Sequence, residues 1–240
     1  MLGYYYGFDI TYLFLVLPCI IISLWASMNV KSTFNKYSQV FSSRRITGSD
    51  AAKRVLQANG ISNVRVERIS GHLTDHFDPR TNVIRLSEHV FDSTSIAAIG
   101  VACHEAGHAV QHATQYAPIK LRTAIIPVTN IGSRLAMPLI LVGILLSYLG
   151  NFSYTLVYIG IVCFALTLLF ELITLPVELN ASNRAIRAID EYGMLNTAEI
   201  KGAKKTLQAA ALTYIAAAAV TLAQLLRLIL LFGGRRRSRD

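Results

Sequence analysis

Residues 125–175 read IIPVTNIGSRLAMPLILVGILLSYLGNFSYTLVYIGIVCFALTLLFELITL. Only two charges interrupt this stretch, Arg134 and Glu171, and its one polar break is Gly150-Asn151-Phe152-Ser153. About 20 helical residues cross roughly 30 Å of hydrocarbon, so the pattern predicts two crossing helices, 125–149 and 154–175, joined as an antiparallel hairpin. Folding that hairpin about Phe152 brings position 134 level with about 170. An unpaired charge in lipid costs a few kcal/mol or more, so Arg134 and Glu171 are expected to pair. Two more runs are long enough to cross, 10–28 and 207–232. The first has neither a basic leader nor a small-residue cleavage site and reads as an uncleaved anchor.

The whole composition agrees. The chain is 53% hydrophobic and 15% charged, against about 25% charged in an ordinary soluble domain; its mean hydropathy is +0.44. Disorder and a soluble globule are excluded, and three scattered cysteines exclude a disulfide framework or a thiolate zinc site. The net charge of +9 comes from basic residues flanking apolar runs, which points to anionic lipid and away from nucleic acid. Twelve Lys and Arg lie between 31 and 122 and five between 184 and 205, with none in the N-terminal tail or the hairpin linker. The positive-inside rule then puts both polar pieces in the cytoplasm of a multi-pass plasma-membrane protein. Arg235, Arg236, Arg237 and Arg239 oppose that orientation and are outweighed. The expected organisation is an anchor (1–28), a cytoplasmic segment (29–122), the hairpin (123–176), a second cytoplasmic segment (177–206), and a last helix with its basic tail (207–240).

Within the first cytoplasmic segment, 31–45 reads as a basic linker. Thr47 or Ser49 then caps a helix that stops at Asn59-Gly60. Residues 63–69 and 82–87 alternate with period two and predict strands, with a loop at 70–80 between them. From 95 to 116 the pattern is helical.

This last helix carries His104-Glu105-Ala106-Gly107-His108, an HExxH motif. Histidines four apart lie one turn apart on one helix face, so both imidazoles can reach one zinc ion while Glu105 stands beside the open coordination position. The ion lowers the pKa of its water and the carboxylate takes the proton. A catalytic site of this type needs a third protein ligand. His112 is about 12 Å along the helix from 104, too far to converge. The HExxHxxGxxH arrangement fails because Gln111 and Thr114 stand at its remaining positions. Glu178 is the expected third ligand, since the hairpin returns it to the face from which the chain left. Glu171 is the rival, better used by Arg134.

On these motifs the chain resembles the bacterial membrane-bound neutral zinc metallopeptidases of the YugP type. The likeness spans essentially the whole length: the anchor, the 72–80 loop with Arg85-Leu86-Ser87, the HEAGH helix, the hairpin and the Glu178 segment. More distantly it is similar to the membrane gluzincins of the heat-shock and CAAX-prenyl protease kind, where the glutamate of an ExxAD sequence is a zinc ligand. By position that glutamate is Glu178, while Ser182 stands where that pattern has aspartate. The resemblance implies an α-helical integral membrane protein with a zincin-like α+β metallopeptidase domain built from segments between the transmembrane helices. It implies one zinc ion and an endopeptidase acting on peptide or protein substrates, membrane proteins among them. A strand edge near the motif would pair with extended substrate, and Val83, Ile84, Arg85 and Leu86 are the expected segment. His76, Tyr116, Tyr192 and Arg184 are candidate donors to the oxyanion.

Two other readings compete. An intramembrane-cleaving metalloprotease would set HExxH in an apolar span, whereas Ser93, Ser95, Gln111, His112 and Gln115 surround it here. A non-catalytic metal-stabilised scaffold or assembly factor has no use for Glu105.

Overall fold

The computed structural model describes residues 4–5, 8–72 and 74–233; the arginine-rich tail after 234 lies outside them. Two compact units share the chain, one from 1–25, 121–174 and 214–240, the other from 26–120 and 175–213.

In the first unit a two-residue antiparallel pair, β1 (Tyr4–Tyr5) and β2 (Phe8–Asp9), precedes a π-helical turn at Tyr12–Val16. That turn leads into α1 (Leu17–Ser38), and the hairpin is α5 (Ala117–Leu145) with α6 (Asn151–Glu191). The last helix is α7 (Thr197–Phe232). Four helical stretches, Tyr12–Ser38, α5, α6 and α7, are long and apolar enough to span a bilayer, and the protein is an α-helical integral membrane protein. Ile140, Val157, Ile161, Leu225 and Leu228 form the apolar centre of this unit.

The hairpin turns at Gly150, whose φ of +61° suits glycine. Gly143 lies against Val157, and Gly160 against Ile140. This register sets position 134 level with about 165, more than a helical turn from 171. The expected Arg134–Glu171 ion pair therefore does not form. Arg134 is exposed, and Glu171 instead accepts a hydrogen bond from the Thr221 hydroxyl of α7 at 3.0 Å.

The second unit holds α2 (Gly48–Ala58), β3 (Arg65–Ile69), β4 (His76–Asp78), β5 (Val83–Ser87), the short α3 (Glu88–Phe91) and α4 (Ile96–Ala113). Thr47 caps α2 by accepting from the Asp50 N–H, and Ser95 caps α4 by accepting from the Ala98 N–H. Ala51, Val55, Ile84, Leu86, Ile99, Ala106, Ala185, Ile189 and Leu207 belong to one core that joins α2, α4 and β5 to the ends of α6 and α7.

Three expectations are corrected. The 31–45 linker is helical as far as Ser38, because nothing between Met28 and Ser38 breaks the helix. α6 runs unbroken through Pro176, so Glu178 sits inside a long helix. The segment Val83–Leu86 offers no edge to a substrate. The sheet order is β3-β5-β4, with β5 parallel to β3 on one side and antiparallel to β4 on the other. Val83, Ile84 and Leu86 are fully buried, and the Ser87 N–H is taken by the Asp75 carboxylate at 2.7 Å.

The strand hidden in the 70–80 loop is β4. It is only three residues long, too short for an alternating pattern, and Asp78 organises the turn that follows. Its carboxylate accepts from the Thr81 hydroxyl at 2.7 Å, the Arg80 N–H at 2.9 Å and the Arg85 guanidinium at 3.2 Å. These bonds hold its pKa down at about 2.

Candidate metal centre

Alanine and glycine make the helix α4 narrow, and it is buried on nearly every face. Gly107, inside the HExxH motif, lies close against α6. A Cβ there would lie 2.8 Å from the Ala181 carbonyl oxygen. This close approach sets the helix carrying Glu178 within reach of both histidines.

His104 Nε2 lies 3.3 Å and His108 Nε2 3.4 Å from the same oxygen, Oε2 of Glu178. The two rings stand nearly perpendicular, 86°, with centroids 4.7 Å apart. The three candidate ligand atoms lie within 4.8 Å of one another, and theirs is the group among the described residues that could hold a metal ion. Burial alone would raise the Glu178 carboxyl. Hydrogen bonds from His104 and His108, and the charge on those rings, hold it far below the usual carboxylate range. His108 moves the other way: burial disfavours its cation, but the Glu178 and Glu105 carboxylates and Gln111 make the ring more basic than usual. The site is thus built to favour positive charge among its donors.

The far side of each imidazole is also spoken for. Gln111 gives one Nε2 hydrogen to the Val177 carbonyl at 2.8 Å and the other to Asn180 Oδ1 at 3.0 Å. Its Oε1 can therefore only accept, and it faces His108 Nδ1 at 3.0 Å. Nδ1 must carry a hydrogen, which leaves Nε2 as the nitrogen free to bind a cation. Asn180 Oδ1 accepts also from Arg184 Nε at 2.8 Å, so the chain of bonds ends on a guanidinium. His104 Nδ1 lies 3.1 Å from the Ser182 hydroxyl, so the serine at the ExxAD aspartate position still reaches a histidine of the HExxH motif. Two imidazole nitrogens and one carboxylate oxygen, with both outer nitrogens engaged, fit zinc. Cys103 does not compete as a ligand. It is fully buried beside Met194, and burial pushes its thiol up to about 12.

Of the other sequence candidates, Glu105 is 9% exposed and close enough to His108 to raise its basicity. His112 is not in the group, and its ring lies 6.0 Å from that of Phe77 on β4. Glu171 is not in the group. The His72 and His89 rings lie 5.3 Å apart and tilted by 57°, with Phe34 edge-on to His72. Tyr116 lies under the Arg184 guanidinium, and Tyr192 packs against the core. Sequence reasoning missed Gln111 and Asn180. Their signal was present as spacing, three positions after His108 and two after Glu178.

Comparison with known proteins agrees with this geometry. The family model described as "Putative neutral zinc metallopeptidase" matches residues 12–233. "Putative membrane protease YugP" of Bacillus subtilis (strain 168) is 47% identical over 221 residues, covering 92% of this chain and 96% of that protein. No solved structure matches the chain. A family match that runs from the first apolar helix to the end of the last, and a relative of almost the same extent, leave one conclusion: this chain belongs to the family described as neutral zinc metallopeptidases and is similar to the Bacillus subtilis protein YugP.

Proposed function

We propose that the chain is a zinc-dependent membrane endopeptidase in which His104, His108 and Glu178 hold one zinc ion and Glu105 is the general base. The observation that carries this is the convergence of two imidazole Nε2 atoms and a carboxylate oxygen from an independent helix. When bound, zinc supplies the Lewis acid that polarises water and the scissile carbonyl. Gln111 and Ser182 orient the two rings. Glu105, next to His104 in sequence and uncommitted to any hydrogen bond among the described residues, removes a proton from the attacking water and returns it to the leaving amine. The distribution of lysine and arginine favours a site on the cytoplasmic side. A site on segments joined directly to membrane helices favours membrane proteins, or their polar ends, as substrates.

Extended substrate is assigned to β4 in place of β5. β4 is an edge strand of the sheet, able to pair with an extended chain, and its Phe77 ring lies 6.0 Å from that of His112 on the motif helix. A photoreactive residue at His76 should crosslink to a peptide held by the Glu105→Gln protein, and one at Arg65 on the opposite edge strand should not. Equal crosslinking at both positions would remove β4 from the proposal.

The activity itself is tested in sealed vesicles with an unstructured soluble protein added outside. Inverted vesicles should cleave it and right-side-out vesicles should not. A zinc chelator should stop cleavage, and about one equivalent of zinc should restore it. Cleavage that survives metal stripping would overturn the reading.

A further inference from the structure

Between α1 and α7, within the second unit, lies a cavity of about 340 Å³ that the peptidase chemistry does not use. Asn29, Thr33, Lys36 and Tyr37 of α1 line one side of it, and Lys205 and Gln208 of α7 line the other. Every one of these side chains can donate a hydrogen bond, and among the described residues no carboxylate lines the cavity. None of their polar side-chain atoms is hydrogen-bonded to another described residue, and neither lysine has an acidic partner. Lys36 stands 5.7 Å from the Tyr37 ring centroid. The Tyr37 ring itself lies against α7 because position 202 is glycine, where a Cβ would come within 2.8 Å of it.

The cavity's polarity changes along its length. Asn29 is the first residue after the apolar run that ends at Met28, and Ala209 and Leu212 close the α7 side where that helix turns apolar. One end is therefore cationic and rich in donors, and the other faces the level where both helices become hydrocarbon-like. A ligand matching it has an anionic, acceptor-only head and an apolar tail.

We propose that this cavity binds the headgroup of an anionic phospholipid. The phosphodiester accepts from Lys36, Lys205 and the neighbouring amide and hydroxyl donors, while an acyl chain follows Leu212. A zwitterionic lipid is disfavoured because no carboxylate is present to receive its ammonium group. Each lysine at an anionic membrane surface is worth about fivefold in affinity, and the pair about thirtyfold. A lipid held here would tie α1 to α7 at the membrane surface.

The test is native mass spectrometry of the full chain extracted from mixed phosphatidylglycerol and phosphatidylcholine membranes. The wild type should retain one phosphatidylglycerol in strong preference to phosphatidylcholine. The Lys36→Gln/Lys205→Gln protein should lose that preference by about thirtyfold, whereas Lys36→Arg/Lys205→Arg should keep it. Lys53→Gln/Arg54→Gln, on the exposed face of α2, removes equal charge elsewhere and should change nothing. Excess inorganic phosphate should not displace the lipid. Equal retention of both lipids by the wild type, unchanged retention in the glutamine variant, or displacement by phosphate would each overturn the proposal. Should the glutamine variant not fold, the lipid preference, the arginine variant and the phosphate competition still decide.

Discussion

Replacing Glu105 with glutamine should leave the zinc content unchanged and lower the cleavage rate about a thousandfold, equivalent to about 4 kcal/mol of barrier. The substitution keeps the side chain's shape and removes only its capacity to take a proton. Glu105 is not one of the three groups whose ligand atoms converge, so the metal should stay. Glu105 is 9% exposed and its carboxylate has no hydrogen-bond partner among the described residues, so glutamine leaves no partner orphaned and the fold should persist. Rate and metal content measured on the same preparation separate the readings. An unchanged cleavage rate in Glu105→Gln would remove Glu105 as the base, and an unchanged cellular phenotype would favour a metal-stabilised scaffold. Loss of metal together with activity would make Glu105 part of the binding set.

The parts of this molecule that sequence revealed are those carried by short-range pattern. The four apolar runs, the Thr47 cap and the HExxH helix each depend on residues within a few turns of one another, and each appears where periodicity and spacing put it. Order across a sheet is a different kind of information. β5 alternates clearly enough to read as a strand, but whether it is an edge depends on β4, three residues whose pairing rests on the Asp78 turn. Depth within the hairpin depends on where the turn falls. A shift of the turn from 152 to 150 displaces the facing position by about four residues, a full helical turn, and separates Arg134 from Glu171. Gln111 was set aside because it broke a known motif. Its function depends on the Val177 carbonyl and Asn180, sixty-odd positions away, which fix its amide and through it the orientation of His108.

The separation of Arg134 from Glu171 sharpens the second large effect. Glu171 has no ion pair among the described residues and is hydrogen-bonded to Thr221 outside the converging group, and the two glutamates of α6 are to be tested side by side. His108→Ala and Glu178→Ala should each weaken zinc binding by about a thousandfold or more, and Glu171→Ala should not change it. Zinc sites bind with roughly 10–16 kcal/mol, so one of three protein ligands accounts for about 4 kcal/mol. Removing Glu178 also takes away the buried carboxylate that both imidazoles face at 3.3 and 3.4 Å. Gln111→Leu should fall between, about 10–100-fold weaker, because the ligand remains but loses the acceptor that orients its ring. Gly107→Val should also weaken binding without touching a ligand, by forcing α4 from the Ala181 carbonyl, which a Cβ would approach to 2.8 Å. The measurements are zinc per chain in the purified protein and competition against a chromophoric chelator, with far-ultraviolet circular dichroism to show that each variant remains helical. Zinc retained in Glu178→Ala and lost in Glu171→Ala would move the third ligand two turns along α6 and dismantle the centre described here.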